Sequence, residues 1–102
     1  MRLSNDEIQG IISALDDTIN GSASLYLYGS RTKAELKGGD IDLLLVSNQH
    51  NLAENKHLLL VAIKNNIGDQ RIDLTLSTEK GIENDPFLDS IFKEAILLHR
   101  WP

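Results

Sequence analysis

Apolar residues along this chain alternate between helical and strand periods. Ile8, Ile11, Ile12, Leu15 and Ile19 recur three and four apart, the spacing of one helix face. Ser4 and Glu7 precede them as a capping box, in which each side chain satisfies a free backbone N–H of the first turn. Asn20-Gly21 predicts the end of that helix. Ala23 to Tyr28 reads as a strand, and Ser30 to Leu36 as a short polar helical turn broken by Lys37-Gly38-Gly39. Ile41 to Val46 is a second strand, apolar at every position except Asp42. Asn51 to Asn66 predicts a helix closed by Ile67-Gly68. Arg71 to Ser77 alternates Ile72, Leu74 and Leu76 with Asp73 and Thr75, the pattern of a half-buried strand. Asp85-Pro86 starts a last helix with proline at its first position, and Phe87, Leu88, Ile91, Phe92 and Ala95 line one face. Ile96 to His99 either extends that helix or forms a terminal strand.

The resulting order, α-β-α-β-α-β-α, predicts an α+β (mixed α/β) domain over residues 1–102. Its short mixed sheet is expected to carry helices on one face and leave the other partly open. No repeat, low-complexity tract or linker interrupts it. Composition adds constraints. The net charge of −5 argues against a protein that coats nucleic acid, which carries a basic excess. The absence of cysteine removes disulfides and thiolate metal sites. MRLSNDEIQG lacks the apolar stretch of a signal peptide, and Leu58 to Ile63 is too short to span a bilayer. A cytoplasmic protein with no membrane contact is the expectation.

The chemistry concentrates in GSRTKAELKGGDIDLLLV, residues 29–46. Aspartate is depleted in strands, and a buried carboxylate without a partner is costly. Asp40 and Asp42, two residues apart, project to one face about 7 Å apart along the chain, and they repel each other unless a cation lies between them. Mg²⁺ binds through one or two carboxylates plus substrate phosphates. Asp73, whose apolar neighbours point the other way, adds a third carboxylate if its strand adjoins Asp42. That set suits two metal ions about 4 Å apart, bridging an attacking and a leaving oxygen. Upstream, Gly29-Ser30 joins a strand to a helical turn, where glycine admits a phosphate close to the backbone and serine adds a donor. Arg31 is near enough to meet phosphate charge. No Lys-Ser/Thr pair of a Walker A loop follows.

Gly29-Ser30, nine residues, then Asp40-Ile41-Asp42 among apolar residues, and later Ile72-Asp73-Leu74, resembles the DNA-polymerase-beta-like nucleotidyltransferases. In length, and in "YGSR" and "GGDIDLLLV", the chain looks like their minimal nucleotidyltransferase (MNT) branch, the resemblance running from Leu25 to Leu76. It implies a small polymerase-beta-like fold in a single minimal nucleotidyltransferase domain, residues 1–102. Gly29, Ser30 and Arg31 would hold the nucleotide, Asp40 and Asp42 both metals, and Asp73 the catalytic metal. The implied cofactor is two Mg²⁺ ions, with ATP as substrate. The resemblance extends to MntA-type antitoxins of HEPN/MNT toxin–antitoxin modules, which AMPylate a HEPN-type RNase toxin. Such a toxin is then the expected partner, in a homo- or hetero-oligomer. The alternative is an antitoxin that neutralises its partner by occlusion without catalysis.

Structural readings compete residue by residue. Gly29-Ser30 alone is more often a turn, and Asp73 could pair with Arg71 on the strand face. Tyr26 and Tyr28 read as packing residues. His50, His57 and His99 lack ligand spacing. Trp101 reads as a frayed tail unless something covers it.

Overall fold

The computed structural model describes residues 1–35, 39–49 and 52–102. Helix α1 spans Asn5–Asp16 and opens with the expected capping box: Ser4 Oγ accepts from the Glu7 N–H at 3.1 Å, and Glu7 Oε1 accepts from the Ser4 N–H at 3.0 Å. It ends four residues before Asn20-Gly21. Asp16 and Asp17 explain the early stop, since carboxylates at a helix C-terminus oppose its dipole and its last turn carries no basic residue. The Leu15 carbonyl then accepts from both Thr18 and Ile19, and Ile19 is tucked into the core.

Strand β1 (Ala23–Tyr28) leads through a single 3₁₀ turn, Gly29–Thr32, towards β2 (Ile41–Ser47). The turn is shorter than expected, and its expected end at Leu36, Lys37 and Gly38 lies outside the described residues. So do His50 and Asn51. A 3₁₀ turn at Ala53–Asn55 precedes helix α2, Lys56–Ile67, so the regular helix starts later than the apolar pattern predicts. Strand β3 is Ile72–Ser77. A six-residue helix, α3 (Glu79–Asn84), then appears where no helix was expected, because only Ile82 of its residues is buried and it has no apolar period. Helix α4 is Pro86–Glu94, with Asp85 Oδ1 accepting from the Phe87 and Leu88 N–H groups. Ile96–Trp101 forms a strand, β4, and does not extend the helix.

The sheet order is β3-β2-β1-β4, with β2 and β3 parallel and the other pairs antiparallel. One face is fully covered. Leu25, Leu27, Ile41, Leu43, Leu45 and Leu74 meet Ile11 and Leu15 of α1 and Leu59 and Ile63 of α2. Full burial of each such side chain contributes about 1.5–3 kcal/mol, so this layer outweighs the cost of one part-buried carboxylate on the far side of β2. Helices are therefore packed on this face as expected, and the second face is only partly covered. There Leu44, Val46 and Tyr28 pack with Ile82 of α3 and with Leu88 and Ile91 of α4.

Phe87, expected on that packed face, is exposed, and Phe92 lies edge-on to Tyr26 with ring centroids 5.1 Å apart. Trp101 is held rather than frayed, its indole N–H donating to Asp16 Oδ1 at 2.7 Å. Among the described residues, no helix is long and apolar enough to cross a membrane.

Candidate active site

The register of the sheet assembles the site. Tyr28 of β1 is the Cα partner of Asp42, and Asp42 is the Cα partner of Asp73 in β3. Residues opposed across neighbouring strands point to the same face, about 4.8 Å apart between strands. One rung therefore carries a phenol and two carboxylates on the sheet face that α1 and α2 leave free. Asp40 stands just before β2. Asp40 and Asp73 are exposed and Asp42 is part-buried.

This crowding shows in Asp42. Burial pushes its carboxyl above the ordinary range, and the negative charges of Asp73 and Asp40 push it further. Asp73 is not paired with Arg71: among the described residues, the ion pair formed is Lys93 with Asp89, on α4. Among the described residues, no ion pair neutralises these three carboxylates.

Two glycines bring the Gly-Ser turn onto this rung. Gly29 has φ +78°, and a Cβ there would overlap the Asp42 carboxylate. Gly39 has φ +87°, and a Cβ there would run into Ser30 Oγ. Only glycine accepts both the left-handed backbone and the close approach. Gly29 therefore lies against Asp42, and Ser30 against the residue that precedes Asp40. The structure brings Gly29, Ser30, Asp40, Asp42 and Asp73 into one neighbourhood. Arg31 is part of the same turn, but its guanidinium is engaged with backbone: Nε donates to the Gly39 carbonyl at 3.3 Å and one Nη to the Arg2 carbonyl at 3.1 Å.

Two residues of the site were not singled out from sequence. The Tyr28 hydroxyl is hydrogen-bonded to Thr75 Oγ1 at 3.1 Å, crossing over the intervening strand. Burial raises the Tyr28 phenol above its usual range; the Thr75 bond opposes this, and Asp73 and Asp42 reinforce it. Tyr28 closes the apolar cluster under α3 and α4 on one side and borders the carboxylates on the other. A signal was present in the sequence: Tyr28 adjoins Gly29, and Thr75 is two residues from Asp73, hence on its face.

The donors fit a hard divalent cation by their chemistry. All are carboxylate oxygens, and a part-buried carboxylate pressed by two like charges gains from any cation. Among the described residues, no three His, Cys, Asp or Glu side chains close on one point as a ready-made cage. Mg²⁺ needs no such cage, since one or two carboxylates suffice when phosphate and water complete the shell. Two hollows, of about 540 and 520 Å³, lie elsewhere, around Ser47 and Asn48 at the other end of β2. Asp40 and Asp73 are exposed, so a large substrate can approach them.

No curated protein matches this chain at a significant level. A family profile for the nucleotidyltransferase domain, however, matches residues 7–98, a span that contains every glycine and carboxylate of the rung. Such domains generally use a nucleoside triphosphate and divalent metal, the two ligands that the clustered carboxylates and the glycine turn suit. The chain belongs to the nucleotidyltransferase domain family, within the polymerase-beta-like superfamily, and its activity is nucleotidyl transfer.

Proposed function

We propose that this protein transfers AMP from ATP to a hydroxyl on a second protein, and that the acceptor is a tyrosine of a HEPN-type toxin neutralised by the modification. The observation that carries the reading is the rung itself, in which Asp42 and Asp73 face one another beside Asp40 and, among the described residues, form no ion pair with a cationic side chain. Asp40 and Asp42 would hold both of two Mg²⁺ ions, and Asp73 the catalytic one. Bound there, the metal supplies charge neutralisation at the attacking and leaving oxygens. In the transfer, the acceptor oxygen bonds to the α-phosphorus, the bond to the β-phosphate bridge breaks, and pyrophosphate leaves with the hydroxyl proton released to solvent.

The chain's own residues mainly position these groups. Gly29 leaves room beside Asp42, Ser30 offers a hydroxyl to the triphosphate, and Tyr28 with Thr75 forms a rigid border to the site. The exposure of Asp40 and Asp73 favours a macromolecular acceptor, because a side chain presented by another protein can reach them. An acceptor with a basic, RNA-binding surface suits the net charge of −5, and encounter then weakens with salt. A cytoplasmic location follows from that partner.

Incubation with a HEPN-type toxin, labelled ATP and Mg²⁺ tests the reading by mass spectrometry. An adduct of one AMP on a partner tyrosine supports it. Absence of label, with full neutralisation by the Asp40→Asn/Asp42→Asn double variant, replaces it with occlusion.

A further inference from the structure

The Gly29–Thr32 turn is gripped from behind by a residue nearly thirty positions away in sequence. The Arg2 guanidinium donates through Nε to the Lys33 carbonyl at 3.0 Å and through Nη2 to the Ser30 carbonyl at 3.2 Å. The Arg2 backbone N–H donates to the Arg31 carbonyl at 2.7 Å. Arg31 returns the contact, its guanidinium donating to the carbonyls of Arg2 and Gly39. Thr32 Oγ1 donates to the Gly29 carbonyl at 2.7 Å. The carbonyls of Gly29, Ser30, Arg31 and Lys33 are therefore all engaged by protein donors.

We propose that Arg2 is a positioning residue for the nucleotide-binding turn, interlocked with Arg31 so that the two guanidinium groups fix Gly29 and Ser30 relative to Asp40 and Asp42. This rests on the reading above that the turn receives the triphosphate. Physical reasons single out arginine. Nε and Nη2 form a rigid fork whose two donors reach carbonyls three residues apart, whereas a lysine is a single point charge on a flexible stem. A turn built around glycine is conformationally permissive, so without an external clamp its backbone has other states to visit. The same clamp reaches Gly39 through Arg31, and Gly39 packs on Ser30, so both segments that flank the site move as one piece. Arg31, expected from sequence to meet phosphate, is the second half of this brace.

The test compares wild type, Arg2→Lys and Arg2→Ala in four measurements. Calorimetry gives the affinity for a non-hydrolysable ATP analogue with Mg²⁺. Kinetics separate KM for ATP from kcat. Amide exchange by NMR follows Ser30, Arg31 and Lys33, and thermal melts report folding. Arg2→Ala should weaken analogue binding and raise KM about tenfold, a fraction of what two hydrogen bonds from a charged donor contribute, because the unclamped turn still visits the binding conformation. Its kcat should stay within about twofold, because the carboxylates are untouched. Exchange at Ser30 and Arg31 should accelerate, and Arg2→Lys should fall between the two. If Arg2→Ala fails to fold, Arg2→Lys alone decides, through the same affinity and exchange readings. Wild-type affinity and exchange in the folded variant overturn the inference while leaving the nucleotide reading intact. A wild-type protein that binds no analogue overturns both.

Discussion

Replacing Asp42 by asparagine should stabilise the free protein and abolish its response to metal and nucleotide. Asp42 is part-buried, faces Asp73 across the parallel β2–β3 pair and has Asp40 nearby. Its carboxyl is raised by burial, then by those two charges. A carboxylate with a raised folded pKa binds more protons in the folded state than in the unfolded one. Stability from this group therefore falls as pH rises from the unfolded value through the folded one, and a constant penalty remains at neutral pH. Like charges directly opposite across a strand pair destabilise by about 0.2–1 kcal/mol each. Asparagine removes both repulsions and keeps the shape, so a gain of about 0.5–1 kcal/mol is expected. In a chain of this size, that is a rise of about 2–8 °C in Tm.

The sign should invert when ligand is added. Wild type gains RT ln(1 + [L]/Kd), about 2.7 kcal/mol at a hundredfold excess over Kd. Asp42→Asn, lacking the central carboxylate, should gain little. Thermal melts of both proteins at pH 7, in EDTA and in saturating Mg²⁺ with an ATP analogue, give the four values needed. The variant should lead in EDTA and trail in ligand. A variant less stable than wild type in EDTA, or one that gains as much from ligand, refutes the account of Asp42 as a strained carboxylate awaiting a cation.

Other consequences follow from the same rung. Gly29→Ala places a Cβ against Asp42 at φ +78° and should cost about 1–3 kcal/mol, seen as a lower urea midpoint, with Gly68→Ala, at φ +95° and with open space around it, as a strain-only control that retains ligand binding. Tyr28→Phe removes the bond to Thr75 and should cost about 0.5–1.5 kcal/mol while lowering turnover; Thr75→Val in the same background should then add almost nothing, and additive losses would separate the two residues. ATP affinity by calorimetry should collapse in EDTA, since bare carboxylates repel a triphosphate; equal affinity with and without Mg²⁺ would count against the site.

The fold was legible where apolar period and chain punctuation agreed. The Ser4/Glu7 box, Asp85-Pro86 and the strand at Ala23–Tyr28 all appear as the pattern predicts. It was illegible where tertiary contact decided the outcome. Ile96–Trp101 has the composition of either a helix end or a strand, and pairing with β1 decides for the strand. The α3 segment offers one buried residue, Ile82, so it has no period to read. At Asp16-Asp17 local electrostatics ended a helix that the isoleucine spacing would have continued to Ile19.

The site divides along the same line, and the division has a physical cause. Asp42 was conspicuous because it is the one charge in a strand buried on both faces, where each neighbour argues against it. Asp73 needed only an alternation and a guess at strand adjacency, and the register supplies that adjacency by placing it directly beside Asp42. Tyr28, in contrast, is the same residue type that packing alone would select for a strand, so its sequence position carries no excess cost to betray it. Its role emerges from where β1 lies, one strand from Asp42 and two from Thr75. Arg2 is less visible still, because an arginine near a chain end is ordinarily solvated, and only the carbonyls it donates to give it a task. Residues that cost stability advertise a site in the sequence, while those that support it at no cost are found only once the strands are in register.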